Sequence, residues 1–573
     1  MTGLSIEAAV EALTAPGAPF EMEEKRIRGI ATRVWKNAPP NLRAVFETSR
    51  NHGDLPFLVF EEERLSYAEH YRRTAALARA LVRRFGIVKG ERVAIAMRNF
   101  PEWSVSFWAA ASVGAVVVPL NAWMTGAELE YCLSDSGARL LIADAERAER
   151  LAPHLAALPL EARLVVRAGR TPPPGWRAFA ETLDDIGPLP EVAIDPEDDA
   201  TIFYTSGTTG KPKGALGTHR NICTNLLSGA YARARSLLRR GESLPAPGSQ
   251  PKTATLLSVP LFHATGCHSV LCGNLYAGNK LVLMYRWDPE RAMQLIERER
   301  ITSFGHVPSM AWQVIEHPNF ARYDLSSVES IAYGGAPAAP ELVARIRASF
   351  PKAMPGNGYG LTETSSVTSQ NAAEDYQRKP DSAGLVIPVC DVRVVDAAGE
   401  DVPKGAVGEL WVKGPNVVKG YWNKPEATAT SFGDGWLRTG DLVRIDEEGF
   451  LYILDRVKDM LIRGGENVYC VEVEDALYSH PAVMDAAVVG IPHRVLGEEV
   501  GAVVQVKPDA SISEDALRRH VAERLAAFKV PSRIVLRDEP LPRNANGKIL
   551  KRELRSVFAA DLSSSCSTGE VAP

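Results

Sequence analysis

The chain has 573 residues, 45% of them hydrophobic and 24% charged, with a formal net charge of -5. That balance is globular and long enough for several domains, and it excludes a disordered chain, a membrane bundle and a basic surface that gathers nucleic acid. Seven cysteines are scattered, and Cys267 and Cys272 lack CxxC spacing, so no zinc knuckle is indicated and a reducing cytoplasm is expected.

Residues 1 to 24 are acidic and lack the basic start and apolar run of a secretory signal. From Leu65 to Leu120, helical periodicity (Ala75, Leu77, Ala80, Leu81) alternates with β-branched runs such as Arg92-Val93-Ala94-Ile95-Ala96, the wiring of a layered α/β domain. Trp103 to Ala127 contains no charge, but Gly114, Pro119 and Asn121 interrupt it. These breakers predict a buried helix from about Pro101 followed by a strand near Val116, and no integral membrane span. Residues 171–191 and 241–252, rich in proline and glycine, read as surface connections.

After Thr201-Ile202-Phe203 comes Tyr204-Thr205-Ser206-Gly207-Thr208-Thr209-Gly210-Lys211-Pro212-Lys213-Gly214. Hydroxyls, glycine turns and two lysines in so short a run suit a polyphosphate. The spacing is not that of a Walker A loop, because only two residues separate Gly207 from Gly210 and Pro212 stands where Ser or Thr is needed. The alternation resumes in Thr255-Leu256-Leu257 and Lys280-Leu281-Val282-Leu283, with Phe262-His263-Ala264-Thr265-Gly266 between them.

Further along, Tyr333-Gly334-Gly335-Ala336-Pro337 precedes Asn357-Gly358-Tyr359-Gly360-Leu361-Thr362-Glu363-Thr364. An aromatic ring among glycines can stack on a purine, and the hydroxyl and carboxylate that follow can meet phosphate and its metal. Residues of about 384–453 change to short strands and glycine turns, a small β-rich, barrel-like subdomain that contains Trp436-Leu437-Arg438-Thr439-Gly440-Asp441. Asp441 is suited to accept from two ribose hydroxyls. Beyond Asp455 lie Arg456, Lys458 and the pair Gly464 and Gly465, then a helix for which Ser511 and Glu514 have capping-box spacing, with Leu517, Val521 and Leu525 on one face. Pro542-Arg543-Asn544-Ala545-Asn546-Gly547-Lys548 is a turn that projects a lysine, and the last residues read as a disordered tail.

Taken together and in this order, the motifs resemble the adenylate-forming superfamily, which includes acyl-CoA synthetases, peptide-synthetase adenylation domains and firefly luciferase, over about Leu65 to Leu554. The resemblance implies an α/β multidomain fold: a large N-terminal domain of layered sheets at 1–456, a small mobile α+β C-terminal domain at 457–560 and a tail at 561–573. ATP, magnesium and coenzyme A are the implied cofactors and a carboxylic acid the implied substrate. The phosphate loop would be Thr205, Ser206, Gly207, Thr208, Thr209, Gly210, Lys211 and Lys213. Gly335, Ala336, Pro337, Asn357, Gly358 and Tyr359 would bind the nucleotide, with Tyr359 stacked on adenine; Thr362 would contact the α-phosphate, Asp441 the ribose, and Arg456 the ribose or phosphate. Thr205 and Glu363 would hold magnesium, Lys458 would be the hinge, Gly464 and Gly465 would admit pantetheine, and Lys548 would be the catalytic lysine.

His263 stands where amino-acid-activating relatives carry an aspartate for the α-ammonium, which disfavours an amino-acid substrate; it is a candidate to line or gate the acyl site, with a packed core histidine as the alternative. Val307, Trp312 and Leu361 are candidates for an apolar pocket, so a medium- or long-chain fatty acid is the first expectation, followed by aryl, alicyclic or steroid acids. Two departures stand near the hinge: Cys470 where many relatives have proline, and Ile462-Arg463 where a lysine is common. A separate carrier protein as acceptor, an oxidative luciferase-like activity and a non-catalytic nucleotide sensor are the competing readings. No motif specifies the oligomeric state, and a homodimer is left open.

Overall fold

The computed structural model describes residues 3–169, 171–205, 211–246, 251–334, 340–508, 510–544 and 548–564. Its N-terminal part holds two large sheets, with helices between and around them, and a two-stranded one of Met22–Ile27 and Ile30–Trp35. The first has seven strands, in which Arg92–Ala96, Val116–Pro119, Leu140–Asp144 and Ala162–Val166 run parallel and Asp199–Thr205 forms an antiparallel pair with Lys213–Thr218. The second carries the parallel strands Pro56–Phe60, Lys280–Leu283, Ala254–Leu257, Ser303–His306, Ser330–Gly334 and Met354–Tyr359. Parallel strands buried on both faces need continuous apolar runs, which is what Val93-Ala94-Ile95 and Val116-Val117-Val118 provide.

The uncharged stretch forms the helix Pro101–Ser112, capped by proline in its first turn, and the strand Val116–Pro119. Every side chain of this helix except Glu102 is buried, and Trp103, Phe107 and Trp108 pack in the largest core cluster. Among the described residues no helix is long and apolar enough to cross a membrane. The segment 171–191 is more than a surface connection. It adds the short edge strand Arg177–Ala178 and a 3-10 turn at Phe179–Thr182, and it buries Trp176, Phe179 and Leu189. Buried Arg79 ties it down by donating to the Gly187 and Pro188 carbonyls.

The β-rich stretch is built from antiparallel Asp391–Val395, Gly408–Lys413, Trp436–Ile445 and Phe450–Arg456. The strand Gly384–Val386 pairs with both Ser369–Ala372 and Phe450–Arg456, so this unit continues the second sheet by hydrogen bonds. The strands that carry Asp441 and Arg456 are thereby joined through one sheet to the strand that ends at Tyr359.

The C-terminal part has a five-stranded sheet of Leu461–Arg463, Glu466–Val468, Val483–His493, Gly497–Val506 and Arg533–Arg537. Strand alternation sends Val488, Val500 and Val504 to one core with Val473, Leu477, Leu517 and Val521, and sends Val489 and Val503 to another with Leu541, Leu554 and Phe558. The helix at Glu514–Ala522 is capped by Ser513, whose side chain accepts from the Ala516 amide, and not by Ser511 as the capping-box spacing suggests. Ile512 packs against the C-terminal core, which keeps the chain outside the helix until Ser513. The last helix, Lys551–Ser564, takes in residues expected to begin the tail, and residues 565–573 lie outside the described ones.

Candidate active site

The phosphate-loop candidates span the turn of the hairpin between Asp199–Thr205 and Lys213–Thr218. Thr205 pairs directly with Lys213, and its hydroxyl donates to the Lys213 carbonyl at 3.4 Å. Ser206, Gly207, Thr208, Thr209 and Gly210 lie outside the described residues. Lys211 is exposed, with its ammonium 5.1 Å from the Tyr131 ring, and the Lys213 ammonium lies 5.1 Å from the Tyr421 ring. Both cations therefore sit over aromatic faces at the mouth of the hairpin, held by attraction to the ring quadrupole.

Three further stretches meet one another at Asp441. Tyr359 ends the strand Met354–Tyr359, and its hydroxyl donates to Asp441 Oδ2 at 2.6 Å. The other oxygen, Oδ1, accepts from Arg456 Nε at 2.8 Å, because Asp441 and Arg456 are paired residues on adjacent strands. The Thr439 hydroxyl accepts from the Asp441 amide and donates to the Leu410 carbonyl, fixing the turn at Gly440, whose φ of +70° favours glycine. Burial first, then the carboxylate of Asp441, holds the Tyr359 phenol well above its usual range. Burial works against the Arg456 guanidinium, but Asp441 and Tyr359 raise it on balance.

Thr362 and Glu363 open the 3-10 turn Thr362–Thr364, and a Glu363 oxygen accepts from the Tyr421 hydroxyl at 2.8 Å. The segment around Tyr421 is sewn to the hairpin: Lys419 and Trp422 donate to the Leu216 and Gly214 carbonyls, and Ala215 bridges to Tyr421. Val418 in turn donates to the Glu363 carbonyl. Glu363 is thus fixed against the strand that leaves the phosphate-loop candidates. Tyr421 is the link that the sequence reading missed, its only signal being an aromatic after the unusual backbone of Gly420 at φ +144°.

Lys548 enters from the C-terminal domain. Its loop is closed by the Arg543–Ile549 bridge, by the Asn544 amide donating to the Lys548 carbonyl, and by the Lys548 amide donating to Asn544 Oδ1 at 3.0 Å. Lys548 is exposed as a residue, yet desolvation acts on its ammonium. Desolvation first, then the Arg456 charge, depresses its proton affinity, while Asp441 and Glu363 favour the charged form. The lysine therefore shares an electrostatic environment with Arg456, Asp441, Glu363 and Lys458.

His263 also faces this lysine. Burial, followed by the Lys548 charge, pushes the imidazole down to about 3, so it is neutral at physiological pH. Its Nε2 is shielded from solvent and has no hydrogen-bond partner among the described residues. The turn at His263 leads into the π-helical segment Thr265–Leu271, a geometry that recurs at functional sites.

Several candidates are placed less informatively. Gly335, Ala336 and Pro337 lie outside the described residues. Asn357 and Gly358 pair with Tyr333 and Gly334, and a side chain at Gly334 would meet the Gly358 carbonyl at 2.4 Å. Gly464 and Gly465, with φ of +60° and +92°, form the tight turn between Leu461–Arg463 and Glu466–Val468. Val307, Trp312 and Leu361 each pack in a different hydrophobic cluster.

The donor set fits a metal-bound polyphosphate. One carboxylate on Glu363 and one hydroxyl on Thr205 match magnesium, which binds through one or two protein oxygens while substrate phosphates complete its shell.

The AMP-binding enzyme family model matches residues 45–422, and the model of its C-terminal domain matches 472–548. A feruloyl-CoA synthase of an Amycolatopsis species is 38% identical over 86% of this chain and 94% of that protein. The long-chain-fatty-acid–CoA ligase FadD13 of Mycobacterium tuberculosis is 35% identical over 83% of this chain and 90% of its own length. Among solved structures, ATP-bound MatB from Rhodopseudomonas palustris is 30% identical with a TM-score of 0.78, covering 90% of this chain and 99% of that one. Enzymes of this family use ATP, magnesium and coenzyme A. The chain belongs to the AMP-binding enzymes of the adenylate-forming superfamily and is an AMP-forming acyl-CoA synthetase.

Proposed function

We propose that the enzyme joins an apolar carboxylic acid to coenzyme A in two steps on one nucleotide site. The observation that carries this reading is Lys548, a residue of the C-terminal domain, in the electrostatic neighbourhood of Asp441, Arg456 and Glu363. A carboxylate is a poor acyl donor because oxide is a poor leaving group, and an AMP leaving group divides the substitution into two easier ones.

In the first step a carboxylate oxygen attacks the α-phosphorus of ATP, and the bond to the bridging oxygen breaks so that pyrophosphate leaves. Asp441 accepts from the ribose hydroxyls, exchanging for them the Tyr359 hydroxyl and Arg456 guanidinium that occupy its oxygens here. Tyr359 stacks on adenine. Thr205, Lys211, Lys213 and Thr362 would contact phosphate, a role also proposed for Ser206, Gly207, Thr208, Thr209 and Gly210, and Thr205 and Glu363 would hold magnesium, which would offset phosphate charge. Lys548 meets the negative charge that builds up between carboxylate and α-phosphate, where a positioned cation in a desolvated cleft acts most strongly. In the second step the sulfur of coenzyme A attacks the acyl carbon, AMP leaves with the electron pair of the C–O bond, and the thiol proton passes to solvent. Residues 457–560 turn about Lys458 between the steps, bringing the Gly464–Gly465 turn to the pantetheine path.

An apolar acid is supported by neutral His263, whose Nε2 has no hydrogen-bond partner among the described residues and which offers no charge to an α-ammonium. Fatty acid remains the first choice of substrate. An aryl acid is the second reading, favoured by the likeness to a feruloyl-CoA synthase. A reducing cytoplasm belongs to the same reading, since the six described cysteines are unpaired.

A pyrophosphate-release screen over fatty, aryl, alicyclic and amino acids, each with and without coenzyme A, tests these choices. The expected result is strong release with at least one apolar acid, coenzyme A-dependent turnover and weak release with amino acids. Preference for amino acids, or indifference to coenzyme A, contradicts the reading.

A further inference from the structure

The strand Phe450–Arg456 ends on two charged residues that serve opposite sides, as alternation along a strand requires. Arg456 turns to Asp441 in the nucleotide cleft. Asp455, only 4% exposed, turns to the C-terminal domain, where its Oδ2 accepts from the Cys470 amide at 2.6 Å. Cys470 is the first residue of the helix Cys470–Tyr478, whose own N-cap, Tyr469, makes no side-chain cap bond. The first amides of a helix have no partner within it, and a carboxylate there is favoured by the helix dipole. Asp455 therefore caps a helix of the other domain across the hinge.

One turn along the same helix, Glu474 is buried and pairs with Lys551 at 2.8 Å. Glu474 also accepts from the Val488 amide at 2.7 Å, which fixes it to the C-terminal sheet. Lys551 opens the final helix and follows Lys548 by three residues. A continuous path thus runs from the nucleotide strand through Asp455, Cys470 and Glu474 to Lys551 and the lysine loop. Its one bond across the hinge through Cys470 N–H depends on this chain's own residue, because the proline that the family resemblance suggests at this position has no amide hydrogen.

We propose that Asp455 and the Cys470 amide form a positioning contact that seats Lys548 for acid activation and must open before the C-terminal domain can turn for thiol transfer. The proposal rests on the two-step reading above. It predicts a defect confined to the first half-reaction, which general loss of stability would not produce.

Cys470→Pro is the direct test, because proline is well accepted at the first helical position and removes the amide hydrogen, while Cys470→Ala keeps it. Two rates are measured in the full chain: acid-dependent exchange of labelled pyrophosphate into ATP, and acyl transfer from a synthetic acyl-adenylate to coenzyme A. Cys470→Pro is expected to slow exchange about tenfold, in kcat rather than in KM for ATP, with transfer within about twofold of the parent or faster. Cys470→Ala is expected to exchange like the parent. Asp455→Ala should slow exchange as Cys470→Pro does, with the double variant no slower than either single one. Equal loss in both half-reactions, or Cys470→Pro exchanging like Cys470→Ala, overturns the contact while leaving the two-step reading intact. A parent enzyme that exchanges with no acid overturns both.

Discussion

Asp441 has both carboxylate oxygens satisfied within the protein, through Tyr359 and Arg456, and in the proposed reaction it would give up those bonds to the ribose hydroxyls. His263 illustrates a different constraint, that of a half-buried base with a shielded ring nitrogen, kept neutral. Its folded-state value of about 3 lies below the ordinary 6.5, so the unfolded chain binds the proton more readily. The stability it contributes is therefore full above pH 6.5 and declines as pH falls towards 3. His263→Gln should reduce the loss of unfolding free energy between pH 7 and pH 5 by up to ~2 kcal/mol, read by denaturant titration at both pH values. An unchanged pH dependence would show that the imidazole binds its proton as readily in the folded enzyme as in the unfolded chain. Tyr359, Asp441 and Lys548 stood out in the sequence because each stands next to a glycine in a motif of the family resemblance, and not through exposure, since Asp441 is buried. Tyr421 was not, because its partner Glu363 is 58 positions away and only the tertiary fold brings them together.

At the scale of elements, the C-terminal helix Glu514–Ala522 shows how far a local pattern reaches. Ser511 and Glu514 have the spacing of a capping box, yet Ile512 is drawn to the core and Ser513 takes the role. Ser513→Ala should cost about 1 kcal/mol in stability, seen as a lowered melting temperature, whereas Ser511→Ala should be neutral. The reverse order would restore the capping-box reading. The hinge makes a kinetic prediction. Lys458 follows Arg456 in a tight turn in which the Asp459 and Met460 amides both donate to the Arg456 carbonyl. Lys458→Pro, by restricting the backbone, should slow acyl transfer by tenfold or more, on the order of the barrier a ~1.4 kcal/mol penalty adds, while acid activation falls less. Equal slowing of both steps would remove Lys458 from the hinge. The main α/β wiring was readable because helical and strand periodicities differ so plainly, as at Pro101–Ser112 and Val116–Pro119. The continuity of the β-rich unit with the second sheet was not, since it depends on the three-residue strand Gly384–Val386 pairing on both edges.

At the scale of the molecule, the arrangement joins two domains around one small volume. The N-terminal domain supplies Thr205, Glu363, Asp441 and Arg456, and the C-terminal domain supplies Lys548. The lysine is most useful when negative charge accumulates in the first step, and the path through Asp455 and Glu474 connects its loop to the strand that carries Arg456. Acid-dependent exchange of labelled pyrophosphate into ATP, comparing the unsubstituted enzyme with Lys548→Ala, tests this convergence most directly. The account predicts exchange with an apolar acid, a loss of at least about a hundredfold in the variant and ATP affinity largely retained. Exchange that survives the substitution unchanged would contradict it.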